Sequence, residues 1–201
     1  MTRTKIIIGI IIVIIVVPLA VYTVSPLFIS TAVNEPLPVF QRFMNLTEEG
    51  RIQAADNMSQ QEKNSIMILA AKENSTVNES IDTKVAGQET DISRNMLSGK
   101  FIGVNDGIHN AEGVAKVIVL DDGTSVLRLE NFKATNGPDL YVYLATDKSA
   151  SDIVNLGRLK GNIGNQNYPI PSGTDVTKYN TALIWCKAFS VLFGSAQLAS
   201  S

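Results

Sequence analysis

Cysteine and histidine are nearly missing from this chain of 201 residues, which has one of each, Cys186 and His109. A single thiol cannot close a disulfide within the chain. A structural zinc site takes four Cys or His ligands and a blue-copper site takes two His and one Cys, so one chain can build neither. Covalent c-type haem needs a C-x-x-C-H run, which the sequence lacks. Few redox designs remain.

An excess of one charge is missing as well: 17 Lys and Arg face 19 Asp and Glu, for a formal net charge of -2. Nucleic-acid binding needs cations clustered on one face, so we expect no nucleic-acid partner. The sequence also has no G-x-S-x-G, G-x-G-x-x-G, P-loop or H-E-x-x-H motif. None of these catalytic motifs is present, so a hydrolase is not expected.

Apolar residues are concentrated in the first thirty positions, where residues 6–29 form an almost unbroken run. About 20 such residues span a bilayer as a helix. Because Arg3 and Lys5 precede the run, the positive-inside rule predicts a single-pass cell-membrane protein with a cytoplasmic N-terminus and an extracytoplasmic remainder. A cleaved signal peptide is the alternative, since residues 30–32 are small, but the run is long for one. Residues 1–30 are thus a cytoplasmic tip and a transmembrane signal-anchor.

The next segment, residues 31–95, is predicted to be a short helical stalk and a polar linker. Residues 59–62, Ser-Gln-Gln-Glu, have the form of a capping box ahead of the apolar residues 66–71. Residues 74–95 are rich in Ser, Thr, Asn, Glu and Asp, which is typical of a linker. The helices are expected to form a stalk or to lean on the neighbouring domain or the membrane surface.

Glycans are a further predicted partner of this segment. Four N-x-S/T triplets begin at Asn45, Asn57, Asn74 and Asn78, and the remainder of the chain has none. Such triplets are acceptors in exported loops. We hypothesise that the exported stretch is glycosylated at these positions.

Residues 96–201 change to short β-branched and aromatic runs separated by turn residues. Residues 113–120 and 124–131 flank Asp121-Asp122-Gly123, a sequence that favours a hairpin turn. About eight or nine such runs, without a helical pattern between them, predict an all-β domain, an antiparallel β-sandwich or barrel. Alternation along the strands places Tyr141 and Tyr143 on one face.

Two separated motifs stand out in this region: Asn131-Phe132 followed by residues 136–144, NGPDLYVYL, and residues 184–194, IWCKAFSVLFG. They resemble the signatures "nF…nGPDlyvyL" and "iWC+-FsV-FG" of the DM-thirteen domain, which occurs alone in prokaryotes and beside DOMON domains in Skeletor-type animal proteins. The resemblance runs from about Gly99 to Leu198. It implies an all-β domain with a proposed electron-transfer role centred on the signature cysteine, Cys186.

Three chemistries are open to Cys186: a thiolate ligand to a haem or metal, a disulfide to another molecule, or a reversible sulfenic acid. The ligand comes first, because electron transfer needs a centre that changes by one electron. A redox partner protein would then exchange the electrons. In the alternative, a cell-surface binding or adhesion module, Cys186 is a buried structural cysteine that shares a face with Ile184, opposite Trp185.

Two other polar residues are candidates. His109 is either an exposed loop histidine or a second cofactor ligand beside Cys186. Asp139 follows Gly137-Pro138 at a strand start, where a carboxylate is expected to accept hydrogen bonds from the N–H groups of the turn.

Overall fold

The structure, a computed structural model, describes residues 38–81, 97–120 and 122–200, all within one compact unit that spans residues 37–201. Three helices come first: α1 (Pro38–Met44), α2 (Glu48–Asp56) and α3 (Gln60–Ala70). The predicted capping box is confirmed, since Ser59 and Glu62 bond each other's backbone N–H at the start of α3. No helix among the described residues is long and apolar enough to cross a membrane. The predicted span at residues 6–29 lies outside them.

Ten strands form the remainder of the described chain. They are β1 (Leu97–Lys100), β2 (Ile102–Gly103), β3 (Ala111–Val119), β4 (Ser125–Ala134), β5 (Leu140–Ala145), β6 (Ile153–Arg158), β7 (Ile163–Ile170), β8 (Thr181–Cys186), β9 (Val191–Gln197) and β10 (Ala199–Ser200). They pair antiparallel in two five-stranded sheets, ordered β10-β1-β3-β4-β7 and β2-β9-β8-β5-β6. The predicted all-β domain is a β-sandwich.

The core lies between the sheets because the strands alternate their side chains. From β8, Ile184 and Cys186 face the core, whereas Leu183 belongs to a second cluster on the outer face of its sheet. Tyr141 and Tyr143 of β5 join Leu183 on that outer face, which confirms their predicted shared face. The strand β5, which lies between β8 and β6, is buried on both of its faces.

The helices belong to the same core. Phe40 and Phe43 of α1 and Ile66 and Met67 of α3 are buried in the cluster that contains Cys186. Each large apolar side chain removed from water contributes about 1.5–3 kcal/mol. The segment predicted as a stalk therefore packs against the sandwich, one of the arrangements that the sequence left open.

Part of the predicted linker follows the edge of β7. The N–H groups of Val77 and Glu79 donate to the carbonyls of Ile163 and Asn165, at 2.9 and 2.8 Å. A Cβ at Gly164 would lie 2.1 Å from the Val77 carbonyl oxygen, so only glycine permits this approach. The added segment covers backbone groups that an edge strand would otherwise expose.

Candidate functional site

Cys186 is the last residue of β8, at the end of the sandwich that α1 and α2 cover. It pairs with Leu140 of β5 and with Val191 of β9, and its side chain is fully buried. Above this end, the rings of Phe43 and Phe189 lie 5.2 Å apart between centroids. The sequence predicted that Cys186 shares a face with Ile184, and this is confirmed. The burial of Cys186 also agrees with the alternative in which it is a structural residue.

The environment of Cys186 favours the neutral thiol. Burial raises the pKa of Cys186 to about 12, and the negative charge of Asp139 acts in the same direction. Backbone N–H groups of Phe189, Asp139 and Ala188 lower the pKa, but they do not offset burial. At neutral pH the sulfur is therefore protonated and weakly nucleophilic.

Asp139 is a fully buried carboxylate that meets two arginines. Its Oδ1 lies 3.0 Å from Nη2 of Arg51 in α2 and 3.2 Å from Nη2 of Arg158 at the end of β6. Neither contact has hydrogen-bond geometry, and no group among the described residues donates a hydrogen bond to either carboxylate oxygen. The expectation that Asp139 satisfies turn N–H groups is wrong, because its partners come from distant elements.

Glu48 connects the first turn of α2 to the outer face of the sheet. Its carboxylate accepts hydrogen bonds from the Tyr141 hydroxyl and from Nζ of Lys187. These two bonds, that of Lys187 first, lower the pKa of Glu48. Burial and the bond to Glu48 raise the pKa of Tyr141. Two cations lie over the Tyr141 ring, with Lys187 Nζ at 5.2 Å and Arg158 Cζ at 5.6 Å from its centroid.

These charges form one group beside Cys186, which we call the charged cluster: Glu48, Arg51, Asp139, Arg158 and Lys187. Glu48 and Arg51 were missed by sequence reasoning because they lie in the segment predicted as a stalk. Acidic residues at the start of α2 are already explained by the Thr47 N-cap and the helix dipole. Arg51 gives no local signal at all.

His109 lies in the loop before β3. Its Nδ1 lies 2.7 Å from Oδ2 of Asp106, and its ring packs edge-on against Phe193 at 4.7 Å between centroids. The residue is 9% exposed, so the expectation of an exposed loop histidine is wrong. Its Nε2 is buried and has no hydrogen-bond partner within the described residues, Cys186 included. A shared role of His109 and Cys186 stays a prediction.

Asp106 explains how the His109 loop is built. Its Oδ1 accepts hydrogen bonds from the N–H groups of Ile108 and His109, at 3.0 and 2.7 Å. Burial raises the pKa of Asp106, but the bonds from the His109 side chain and from these two N–H groups prevail and lower it to about 2. The pair has the form of a carboxylate that orients a histidine.

The residues around Cys186 do not fit a haem or metal in this conformation. A ligand sulfur needs an open side, and this one is fully buried among side chains of the core. In the described parts of the chain, no group of three His, Cys, Asp or Glu side chains could hold a metal ion. Surface clefts of about 140, 210, 320 and 470 Å³ in the described residues are lined by residues other than Cys186 and His109.

Comparison with known proteins gives one match. Residues 101–198 match the model of the family described as electron transfer DM13, which spans both motifs and Cys186. No curated protein and no solved structure matches the chain. Two members of the charged cluster, Glu48 and Arg51, lie outside the matched region. The resemblance seen in the sequence is confirmed, and this chain carries a DM13 domain at residues 101–198.

Proposed function

We propose that this protein is a membrane-anchored, extracytoplasmic electron-transfer module whose redox centre is the sulfur of Cys186. The family description, electron transfer, is the observation that carries the proposal, together with the position of Cys186 inside the matched region. The chain has no second thiol, so Cys186 has no disulfide partner of its own. Its buried sulfur lies beside a charged carboxylate, Asp139, whose field acts on it.

Burial favours electron transfer over the other chemistries of a thiol. Disulfide exchange and sulfenic acid formation need a thiolate that a second molecule can touch. Cys186 is neither ionised at neutral pH nor accessible. An electron, by contrast, can leave a buried group without direct contact, because it passes through the intervening protein.

The proposed step moves one electron and one proton. The thiol of Cys186 gives an electron to a one-electron oxidant, the redox centre of a partner protein, and becomes a thiyl radical when its S–H proton leaves. The proton is released to solvent, because no hydrogen bond joins Cys186 to either carboxylate oxygen of Asp139. Reduction by one electron, with return of the proton, restores the thiol. No covalent bond to the partner is formed.

The membrane location is the second part of the proposal. The apolar residues 6–29 with Arg3 and Lys5 before them support a cytoplasmic N-terminus and an extracytoplasmic domain. Glycans at Asn45, Asn57, Asn74 and Asn78 accompany this location. Two of the four N-x-S/T triplets end in a helix N-cap, since Thr47 caps α2 and Ser59 caps α3. An intact mass equal to that of the bare polypeptide would remove the glycans from the proposal.

A binding or adhesion module is the second candidate function. The observation that favours it is the complete burial of Cys186, which a structural cysteine shows equally well. In that case the sulfur contributes packing, and no electron leaves it.

An oxidative titration separates the two functions. The full-length protein in detergent is titrated with hexachloroiridate(IV), a coloured one-electron oxidant, and compared with Cys186→Ala and Cys186→Ser. We expect the wild type to consume one more equivalent than either variant, and ascorbate to reverse that difference. Equal consumption by all three proteins would leave Cys186 a structural residue and favour the binding module.

A further inference from the structure

We propose that Tyr141 is a one-electron relay on the outer face of the Cys186 sheet and that Glu48 accepts its proton. The proposal rests on the electron-transfer function above, because it describes how the electron reaches the surface. It assigns a redox role to two side chains, one of which lies outside the DM13 domain at residues 101–198.

The first observation is the hydrogen bond between the two groups. The phenol of Tyr141 donates to Oε2 of Glu48, and the residue is 4% exposed. A phenol becomes a strong acid once it has lost an electron, so its oxidation requires a proton acceptor that is already in place. Glu48 is fixed there by α2 and by the second bond to Lys187.

Oxidation of Tyr141 moves one electron and one proton. Tyr141–OH loses one electron to the oxidised centre, either the Cys186 thiyl radical or a one-electron oxidant of the partner, which is reduced. The phenolic proton moves along the hydrogen bond to the Glu48 carboxylate, so a neutral tyrosyl radical and a carboxylic acid result. When a reductant returns the electron, the proton moves back to the phenolic oxygen.

The neighbouring charges make the proton transfer necessary. Lys187 and Arg158 lie over the Tyr141 ring, and positive charge opposes the loss of an electron from it. The negative charge of Asp139 acts on the same side chain in the opposite sense. A tyrosine radical that kept its proton would carry a positive charge within 6 Å of two cations, so oxidation proceeds only with transfer of the proton to Glu48.

The aromatic neighbours of Tyr141 provide the path of the electron between Cys186 and the protein surface. Trp185 lies directly across the strand pair from Tyr141, and Tyr143 has its ring centroid 6.0 Å from that of Tyr141. Directly opposite residues have Cβ atoms about 4.5–5.5 Å apart. Trp185 is partly exposed and is bonded in sequence to Cys186, which faces the core. The three rings therefore join the buried sulfur to the protein surface.

A second phenol–carboxylate pair serves as an internal comparison. The Tyr179 hydroxyl donates to Oδ1 of Asp152 at 2.9 Å, but Tyr179 is not part of the outer cluster with Tyr141 and Tyr143. Because an added oxidant would also reach Tyr179, the test uses Tyr179→Phe as its background.

The test is photo-oxidation of the full-length protein in detergent by tris(bipyridine)ruthenium(III), generated by a laser flash with a sacrificial acceptor. We expect a tyrosyl radical in the EPR spectrum, with formation slowed in heavy water. Glu48→Gln is expected to slow it about a hundredfold, the usual contribution of a positioned base. Glu49→Gln removes the same charge from the same helical turn, at an exposed position, and should leave the rate unchanged.

Variants of the rings complete the experiment. Tyr141→Phe should remove most of the radical, whereas Tyr143→Phe should retain it, with thermal unfolding confirming that both variants are folded. An unchanged rate in Glu48→Gln, or a full radical signal in Tyr141→Phe, would overturn the relay. Cys186→Ala keeps the two proposals distinguishable. A radical at Tyr141 in this variant would support the relay independently of Cys186. The redox role of Cys186 is decided by the titration, in which the wild type should consume one more oxidising equivalent than Cys186→Ala.

Discussion

Two aspartates of the β domain, Asp139 and Asp106, are held in opposite ways. Asp106 accepts its hydrogen bonds from its own loop, from Ile108 and His109. The carboxylate of Asp139 faces Arg51 and Arg158, which come from distant elements, and it accepts no hydrogen bond from the described residues. Hydrogen bonds within its own loop are enough to explain the position of the Asp106 carboxylate.

The difference separates a structural carboxylate from a candidate functional one. A buried charge without hydrogen bonds costs several kcal/mol, which only a partner charge can offset. A protein that needed only a rigid turn would satisfy Asp139 as it satisfies Asp106. The charged cluster beside Cys186 therefore marks an end of the sandwich where function is expected, whereas the position of the Asp106 carboxylate is explained by its own loop.

The largest expected effect comes from neutralising Asp139. Asp139→Asn leaves Arg51 buried without its counter-charge, and we expect a loss of about 3–5 kcal/mol in the free energy of unfolding measured with urea. Asp106→Asn, at a half-exposed site, should cost under about 1 kcal/mol. The double variant Arg51→Met/Asp139→Leu should recover most of the loss. Equal costs for the two Asn variants would contradict the comparison.

The next effect comes from removing the ring of Phe43 at the end of the sandwich where Cys186 is buried. Phe43→Ala removes a buried ring that contacts Phe189, at a cost of about 3 kcal/mol. The rate at which iodoacetamide alkylates Cys186 should then rise about a hundredfold, since 1.36 kcal/mol corresponds to a factor of ten. Val39→Ala, at an exposed position of the same helix, is the control and should leave the rate near that of the wild type. Rapid alkylation of the wild type would show that the sulfur is not covered.

A smaller effect appears at high pH. The folded pKa of Cys186 is raised from 9.0 to about 12, so the neutral thiol stabilises the folded state below pH 9. This contribution is lost as the pH rises from about 9 to about 12. The difference in free energy of unfolding between the wild type and Cys186→Ala should therefore shrink with rising pH across this interval. A constant difference would mean that the thiol titrates normally.

The smallest effect appears at low pH. The folded pKa of Asp106 is lowered from 3.8 to about 2, so its ionised form stabilises the protein above pH 3.8. This contribution falls away between pH of about 4 and 2. Because the side chain is 44% exposed, it amounts to under about 1 kcal/mol. In Asp106→Asn, unfolding monitored by circular dichroism should lack this component, and an unaltered acid transition would contradict the assignment.

The sandwich and Cys186 could be predicted from sequence because their signals are local. Alternation put Tyr141 and Tyr143 on one face, and the motif around Cys186 identified the domain. The charged cluster could not be predicted, because its contacts are long-range. Glu48 and Tyr141 are 93 residues apart, and a glutamate after Thr47 is fully explained by helix capping.

Asp139 shows a second limit of sequence. Its place after Gly137-Pro138 suggested a carboxylate that serves the turn. The backbone position was right, but the direction of the side chain depends on how α2 packs, which no residue near Asp139 encodes. The same limit applies to His109, whose burial depends on the distant Phe193.

If Cys186 exchanges one electron together with one proton, voltammetry of the full-length protein over a range of pH measures both directly. We expect a reversible couple whose midpoint potential falls by about 59 mV per pH unit, the value for one electron and one proton. In Cys186→Ala this couple should be lost and only that of Tyr141 should remain, whereas Tyr141→Phe/Cys186→Ala should show neither. A response in Cys186→Ala as large as that of the wild type, or no couple in the wild type, would contradict the redox role of Cys186.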